Sequence, residues 1–486
     1  MAGPNILDKG LIAVKCTRTS KVPIRFDILT ANLRFKSILS LFDHLKRSVS
    51  DKSVEQSLSG RATRSGVWIG GGFVVQRGLQ FVSNLILTRI LFPEAFGLMA
   101  LCTVFIVGLA MFSDLGLKPA IIRDARGADP VFLNTAWTIQ VIRGVVLFIG
   151  GCLLAFPISI VYGNAILFPL LAVISTTALI AGFTSIKMVT AERDLDFRTV
   201  TFVTISGQAA QIVTMVLLAY FWRSVWALAV GGIIGSLTML LIGHVLLRGH
   251  QHRLQIDSSS ARSLVHFGKW IFFSTIVTFL GGEGLRAIQA GFITPAEFGI
   301  LAIAYSIAAI PFDLSFKLTA SIGLPALAEA YRNNPNEFLK TLHNFRSRLL
   351  IVSLGLVSAV ALTSETLVSL LYDSRYHAAG SLIVAITLAN ATISISTGYD
   401  NALLVVGKSK AYLCMISIST VGRVIGTIIG LKIYGILGMI VGIGISNLVV
   451  LSLYWIIMYR VRLVNFKIDL ISLIIIAILV FTSVIF

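Results

Sequence analysis

The chain has little charge. Of its 486 residues, 13% are Asp, Glu, Lys or Arg, about half the share of a soluble globular domain, and that excludes a water-soluble fold. Acids are the rarer sign, 22 against 40 Lys and Arg, for a formal net charge of +18. Cysteine is scarce too. Cys16, Cys102, Cys152 and Cys414 are scattered with no C-x-x-C pair, so neither a disulfide framework nor a zinc site is indicated. Three of the four fall in apolar runs and read as small core residues. Residues 1–60 hold no long apolar run, which excludes an opening signal peptide. A complete phosphate-binding loop is missing. Gly407-Lys408-Ser409 looks like the end of one, but Ala402 stands where the upstream glycine belongs, so no ATP site and no cofactor are expected. Asp194-Leu195-Asp196 lies in a loop too short for a nucleotide-sugar domain, and His250 and His252 read as solvated loop residues rather than metal ligands. No catalytic set emerges.

Apolar residues are abundant, at 56% of the chain and a mean hydropathy of +0.89. Runs near the roughly 20 residues that cross a bilayer fall at 67–91, 97–113, 132–156, 164–184, 199–221, 225–247, 268–292, 298–322, 349–371, 379–399, 411–431, 436–458 and 469–486. These thirteen runs predict an all-α polytopic membrane protein. The basic residues then sort by side. Connections at 114–130, 185–198, 248–267 with Lys269, 323–348, 400–410 and 459–468 carry nineteen Lys and Arg, and the alternate connections carry only Arg223, Arg375 and Lys432. Positive residues stay in the cytoplasm during insertion, so the charge reports topology and nucleic acid is not an expected partner. The N-terminus is placed in the cytoplasm. Residues 1–64, with twelve Lys and Arg and five acids, read as a disordered extension, or as one upstream of the true start, since no methionine follows Met1 until Met99. An amphipathic piece near Ile24–Arg47 fits an anionic membrane surface.

The chain repeats itself at a distance. Phe92–Leu101 reads FPEAFGLMAL and Thr294–Ile303 reads TPAEFGILAI, 202 residues later. The same shift lays Gly66, Trp68, Ile69, Val75, Ile86, Pro93, Phe96, Gly97 and Ala100 on identical residues, nine identities in 35 positions without gaps. Both copies follow basic connections, so the halves are parallel and related by a pseudo-twofold axis along the membrane normal. The expected organisation is an extension at 1–64, a six-helix lobe at 65–247, a cytoplasmic linker at 248–265, a second six-helix lobe at 266–458, and an extra helix in 459–486. Pro93 and Pro295 end the incoming turn, and Gly97 and Gly299 let the next helix start close by.

Six cations interrupt the spans: Arg77, Arg89, Arg143, Arg286, Lys317 and Arg423. An ion at mid-bilayer costs about 2.5–3.5 kcal/mol on insertion scales, so such groups face a wet cavity or a partner. Arg89 is near a helix end and can snorkel. On helix 1, Gln76, Gln80, Asn84 and Thr88 recur every fourth residue beside Arg77; on helix 7, Thr275, Thr278, Gly282, Arg286 and Gln289 recur at three- and four-residue steps. Two polar stripes lining one central cavity are expected. Glu283 with Arg286, and Asp313 with Lys317, are spaced to pair on one helix face, while Asp114, Glu365 and Asp400 complete the acids in or beside spans. An excess of arginine selects an anionic ligand, and its fork suits phosphate. Gly422, Gly426 and Gly430 form a small-residue ladder for close helix packing.

These features together resemble the polysaccharide transport family of oligosaccharide flippases, in the multidrug/oligosaccharidyl-lipid/polysaccharide exporter superfamily. The likeness rests on GVWIGGG and FVVQRGLQFVSNLILTRILFPEAFGLMAL within 66–101, on the R-x-L-x-F element Arg193, Leu195 and Phe197, on VWALAVGGIIGS at 225–236, and on 298–327; it runs from about 60 to 460. The long N-terminal leader departs from the family pattern. The resemblance implies a bacterial inner-membrane protein that flips polyprenyl-pyrophosphate-linked oligosaccharide by alternating access for exopolysaccharide or lipopolysaccharide synthesis. Its partners would be that lipid-linked substrate, membrane lipids and polysaccharide polymerase machinery. Arg77, Arg143, Arg286 and Arg423, with Arg89, would hold the pyrophosphate or acidic sugars, and Gln76, Gln80, Asn84, Thr278 and Gln289 would bond sugar hydroxyls. Energy would come from an ion gradient, with Asp114, Glu283, Asp313 and Lys317 as coupling groups, or from product removal. Two alternatives stay open: a multidrug exporter of the same superfamily, which should favour an acidic cavity, and a membrane polymerase or ligase, which would need catalytic groups on outer loops that are here short and nearly uncharged.

Overall fold

The structure, a computed structural model, describes residues 58–113, 116–124, 126–333 and 335–485. Most of the N-terminal extension, and Asp114, lie outside them. All regular structure among the described residues is helical. The first half supplies α1 (Leu58–Ile90), α2 (Pro93–Phe112), short α3 (Leu117–Arg123), α4 (Pro130–Val161), α5 (Leu167–Gly182), short α6 (Lys187–Arg193), α7 (Phe197–Trp222) and α8 (Val225–Leu246). The second supplies α9 (Ser258–Gly281), α10 (Glu283–Ala290), α11 (Pro295–Ala308), α12 (Ile310–Leu318), a π-helical stretch Thr319–Gly323, α13 (Leu324–Asn333), α14 (Pro335–Leu371), α15 (Ala378–Asn390), α16 (Ile393–Val405), α17 (Ser409–Arg460) and α18 (Phe466–Ile485). Helices α1 to α8 form the first half, or lobe, and α9 to α17 the second; they meet mainly where α2 packs on α11, α10 and α9, and α18 lies against α14 and α15.

Among the described residues eight helices are long and apolar enough to cross a membrane, or up to ten when two bent pairs, α5 with α6 and α11 with α12, each count as one span. The thirteen runs read from sequence exceed this for physical reasons. Arg77, Arg89 and the polar stripe dilute α1. The run at 268–292 breaks at Gly282, whose φ of −116° and ψ of −95° separate α9 from α10. Conversely α17 is a hairpin, turned at Tyr434 and at Gly435 with φ 61°. Its two arms meet where side chains are smallest. A Cβ on Gly430 would lie 2.1 Å from Gly438 O, on Gly426 2.4 Å from Gly442 O, and on Gly422 2.4 Å from Ser446 Oγ.

The repeated segments pack on each other. Gly97 and Gly299 bring the first turns of α2 and α11 into backbone contact: a Cβ on Gly97 would fall 1.8 Å from Pro295 O, and one on Gly299 1.9 Å from Pro93 O. The glycines therefore join the two lobes, a role beyond starting their own helices. Around the crossing, Leu91, Leu98, Leu101, Phe298, Leu301 and Tyr376 belong to one buried apolar cluster shared by both lobes. Tyr376 donates its hydroxyl to Leu91 O at 2.9 Å, and Tyr162 donates to Ala287 O at 2.9 Å. We refer to this end as the proline end and to the opposite end, with the basic connections, as the basic end.

At the basic end the connection from α8 to α9 is extended, and α4 holds it as a neighbouring strand would. Asn134 Oδ1 accepts from Arg253 N at 3.2 Å, Thr138 Oγ1 from Gln255 N at 3.0 Å and Thr135 Oγ1 from Asp257 N at 3.0 Å. Alternate residues of the strap thus find donors and acceptors on one helix face, which satisfies a backbone that has no ladder. His250 and His252 are not solvated loop residues. His250 donates to Asn134 Oδ1 at 3.2 Å. His252 stacks on Trp137 with ring centroids 5.2 Å apart, meets His244 edge-on and lies 2.8 Å from Ser185 Oγ.

The lobe crossing should be intolerant of a single methyl group. Gly97→Ala or Gly299→Ala must push two backbones apart, and overpacking costs about 1–3 kcal/mol, so each variant should melt several degrees below the parent in detergent. Gly70→Ala and Gly78→Ala, where nothing lies within 4 Å, should not. Equal melting of all four would contradict the crossing. The strap should respond to acid. Burial, then the charges of His244, Lys187 and His250, push His252 from 6.5 down to about 4, so the released strap takes up a proton at higher pH than the docked one. Docking is then fully stable above about pH 6.5 and weakens as pH falls towards 4. Hydrogen exchange of 247–257, corrected for intrinsic rate, should show protection lost across that interval; constant protection would rule this out.

Candidate functional site

The polar face of α1 looks across a seam at α11 and α12, which run antiparallel to it. Asn84 Nδ2 donates to Ser306 Oγ at 3.5 Å, Arg77 pairs through Nη2 with the Asp313 carboxylate, and Lys317 Nζ donates to Ile69 O at 3.3 Å. The helices are joined by these side chains rather than by close backbone packing. Phe73 lies under both cations, 5.4 Å from the Arg77 guanidinium and 4.5 Å from Lys317 Nζ. Arg77 Nη1 also donates to Gln80 Oε1 at 3.1 Å. Sequence spacing pairs Asp313 with Lys317 on its own helix; the structure gives Asp313 to Arg77 of the other lobe, because the seam brings a stronger fork donor into reach. Of the expected stripe, Gln76, Gln80 and Asn84 are partly or fully exposed on α1, with Gln76 O accepting from Gln208 Nε2 at 2.9 Å. Thr88 is buried and bonds its hydroxyl to Asn84 O at 2.8 Å, so it leaves the stripe.

A second polar group is internal to the later lobe. Glu283 and Arg286 pair at 3.1 Å, as their spacing indicates, and the Arg286 guanidinium lies 5.4 Å from the Tyr305 ring centroid. Tyr305 accepts from Gln289 Nε2 at 3.1 Å. Gln289 is fully buried, and its Oε1 has no partner. Arg423 Nε donates to Asn447 Oδ1 at 2.9 Å, and Asn447 Nδ2 donates to Ala389 O at 2.9 Å and Asn390 Oδ1 at 3.3 Å. Arg423 is within electrostatic reach of Tyr305 and Tyr454. Thr278 is exposed on α9.

Arg143 lies apart from both. It borders a cavity of about 540 Å³ inside the first lobe, with Lys118, Gln140, Thr177 and Ser236 among its lining residues. Its Nε donates to Ser113 Oγ at 2.8 Å and its Nη2 to Ala110 O at 2.6 Å. Arg89 sits at the proline end and donates to Leu371 O at 3.2 Å, beside Arg375, which donates to Arg89 O at 3.3 Å. The arginines thus occupy three interior settings and one helix end. Tyr305, Tyr454 and Asn447 carry much of the polar wiring and have no spacing that marks them in the sequence.

The interior holds Arg77, Arg143, Arg286, Lys317 and Arg423 against the acids Asp313, Glu283 and Asp400. Net positive potential in a low-dielectric surround attracts anions. The Arg77 and Asp313 side chains are 30% and 39% exposed, so an incoming anion can replace Asp313 on the guanidinium. Among the described residues no His, Cys, Asp and Glu cluster could hold a metal ion.

A model of the polysaccharide biosynthesis protein family matches residues 86–381. Among curated proteins the chain is similar to the lipopolysaccharide biosynthesis protein WzxC of Escherichia coli (strain K12), 21% identical over 322 residues. That alignment covers 66% of this chain and 65% of the relative, just under two thirds of its length. Among solved structures it is similar to the lipid II flippase MurJ in its inward closed conformation, with a TM-score of 0.66 and 15% identity over 85% of this chain and 92% of that one. It is also similar to an inward-facing multidrug resistance MATE family transporter of the MOP superfamily, with a TM-score of 0.62 and 16% identity over 84% and 96%. At these identities the structural likeness is one of fold: two helical lobes.

The exposed pair on the seam makes an opposite-sign prediction for its two members. Asp313→Asn should tighten binding of inorganic pyrophosphate to the purified protein and Arg77→Gln should weaken it, each by about tenfold, the ~1.4 kcal/mol of one charge-assisted bond. Thermal stability should change by no more than about 1 kcal/mol, the ceiling for an exposed pair. Titration calorimetry showing equal affinities for both variants would contradict the assignment.

Proposed function

The chain belongs to the polysaccharide biosynthesis protein family, and on that premise we propose that it is a flippase moving a polyprenyl-pyrophosphate-linked oligosaccharide across the bacterial inner membrane. The observation that supports this reading is the cation excess along the seam between the lobes, where Arg77 and Lys317 both lie over Phe73. A pyrophosphate headgroup offers the paired anionic oxygens that guanidinium forks bind best. Gln76, Gln80 and Asn84 line the same face of α1 and suit sugar hydroxyls.

The basic end is cytoplasmic in this reading, by the distribution of Lys and Arg, which places the N-terminus and the 248–265 linker there too. The lobes then comprise 65–247 and 266–458, with 459–486 as the additional helix. The crossing of α2 and α11 closes the periplasmic side. Substrate enters from the cytoplasmic leaflet, its headgroup displaces Asp313 from Arg77, and the lobes rock about the site to open the proline end. Arg286 and Arg423 hold the later-lobe wall of the path, Arg143 serves the first-lobe cavity, and Arg89 braces the closed end. The product feeds exopolysaccharide or lipopolysaccharide assembly, with polymerase machinery as the downstream partner. A multidrug exporter would share the fold, but cationic drugs would be repelled by this interior.

Alanine at Arg77, Arg143, Arg286 and Arg423, one at a time, should each lower cell-surface polymer by about tenfold or more, the ~1.4 kcal/mol equivalent of one lost charge-assisted contact. Lipid-linked oligosaccharide should accumulate on the inner leaflet while membrane insertion stays normal. Undiminished polymer from all four variants would overturn the cationic path.

A further inference from the structure

At the proline end of the later lobe, an open cavity of about 430 Å³ lies between the segment 292–297 and the turn of the α17 hairpin. Phe292, Glu297, Lys432, Tyr434 and Leu437 line it, and all five are exposed. Glu297 is oriented by its own helix start. Thr294 N and Thr294 Oγ1 donate to Glu297 Oε2 at 2.8 and 2.9 Å, and Glu297 N donates to Thr294 Oγ1 at 3.3 Å. This capping box fixes the carboxylate through one oxygen and leaves Oε1 available as an acceptor. The first copy of the repeat has no such acid. Phe92 stands where Thr294 does and Ala95 where Glu297 does, and Ala95 is buried. The crossing of α2 and α11 therefore does not require Glu297.

Lys432 comes two residues before the turn at Tyr434 and Gly435. It lines the same cavity as Glu297, yet among the described residues no ion pair joins the two. The cavity thus presents an ammonium and a carboxylate, held apart. Its depth in the membrane follows from the aromatics at this end. Tyr220, Phe221 and Trp222 at the end of α7 are exposed, as are Phe292 and Tyr434. Exposed Trp and Tyr mark the headgroup layer of a bilayer. From the cavity, the returning arm of α17 continues with Leu437, Val441 and Ile445, which are 56%, 58% and 58% exposed. Four-residue steps put them on one helix face. An apolar stripe more than half exposed therefore runs about 12 Å from the charged pair towards the bilayer centre.

We propose that this cavity binds a phospholipid whose headgroup carries both a phosphate and a primary amine, drawn from the leaflet at the proline end. Lys432 takes a phosphate oxygen, Glu297 Oε1 accepts from the ammonium, and one acyl chain follows Leu437, Val441 and Ile445. Charge selects this headgroup. A purely anionic lipid meets Glu297 and loses part of what Lys432 supplies, and a trimethylammonium headgroup has no N–H to donate. A polyprenyl pyrophosphate, with several negative charges and no amine, is disfavoured on the same ground, so the site is separate from the seam. The bound headgroup ties the first turn of α11, which lies in the lobe crossing, to the α17 turn. This assignment goes beyond the flippase reading and holds whatever the seam carries.

The test uses purified full-length protein in detergent, titrated with phosphatidylethanolamine, phosphatidylglycerol or phosphatidylcholine of one acyl composition, with bound lipid counted by native mass spectrometry. Phosphatidylethanolamine should bind about tenfold more tightly than either of the others, the difference that one charge-assisted bond makes. Glu297→Gln should remove that preference; glutamine still completes a capping box, so the helix start is kept. Lys432→Gln should weaken phosphatidylethanolamine by a similar factor, and Lys408→Gln, an exposed cation at the basic end, should not. Melting without added lipid should match the parent in all three variants, which separates lost binding from lost fold. Equal binding of the three lipids, tighter binding of phosphatidylglycerol, or a preference for phosphatidylethanolamine that survives both Glu297→Gln and Lys432→Gln would each overturn the proposal.

Discussion

At Gly97 and Gly299 two helix starts touch backbone to backbone, each glycine against the carbonyl of the other segment's proline. Only residues without a Cβ permit that approach, and the arrangement of the lobes follows from it. α1 ends just before one segment and α11 begins in the other, so both are anchored at the crossing, and α1 runs antiparallel to α11 and α12 from there. From Leu91 back to Ile69 is about 33 Å of helix at 1.5 Å per residue, enough to carry the polar stripe from one membrane face towards the other. A small rotation at the crossing becomes a large displacement at Ile69 and Lys317.

The interior cations show how differently one chemical problem can be met. Arg346 and Asp469 are 1% and 0% exposed and share their pair with Tyr399, which donates to Asp469 at 2.6 Å, and Trp455, which donates at 2.9 Å. The Arg346 guanidinium also lies 3.5 Å from the Tyr399 ring centroid. Breaking such a buried pair costs about 3–5 kcal/mol, so this network locks α18 to the later lobe and is unsuited to exchange partners. Arg77 and Asp313 have the same charges but remain a third exposed, which keeps their pair weak and replaceable. Burial separates a structural arginine from a binding one, and no property of the residue type does.

That difference explains what the sequence could convey. The repeat at a 202-residue shift, the apolar runs and the four-residue polar stripe are local or self-similar signals, and the lobes, the α17 hairpin glycines and the face of α1 follow from them. The pairing of Glu283 with Arg286 is equally local. The partner of Asp313 is not, since an (i, i+4) lysine and an arginine 236 residues away are both available and only the seam decides. The strap held by Asn134, Thr135 and Thr138 escapes for the same reason: three polar residues at a helix start look like capping chemistry until an extended chain 117–122 residues later lies beside them. Arg143 has the hydropathic signature of the other arginines and sits in a separate cavity. Arg346 reads as one more basic loop residue because its acid lies 123 positions away.

The contacts between the lobes are unequal, and magnitudes rank them. At the proline end, separation would uncover Leu91, Leu98, Leu101, Phe298, Leu301 and Tyr376, all at most 8% exposed. Burying a side chain of that size is worth about 1.5–3 kcal/mol. At the basic end α9 packs on α2, α3 and α4, with Leu264 buried in one cluster with Leu117, Ile121 and Phe132. Along the seam the lobes share a partly exposed ion pair worth at most about 1 kcal/mol and two cations over Phe73. The seam is therefore the weakest of the three contacts. A ligand that displaced Asp313 from Arg77 would act there, and it could shift the lobes only by its differential free energy between their arrangements.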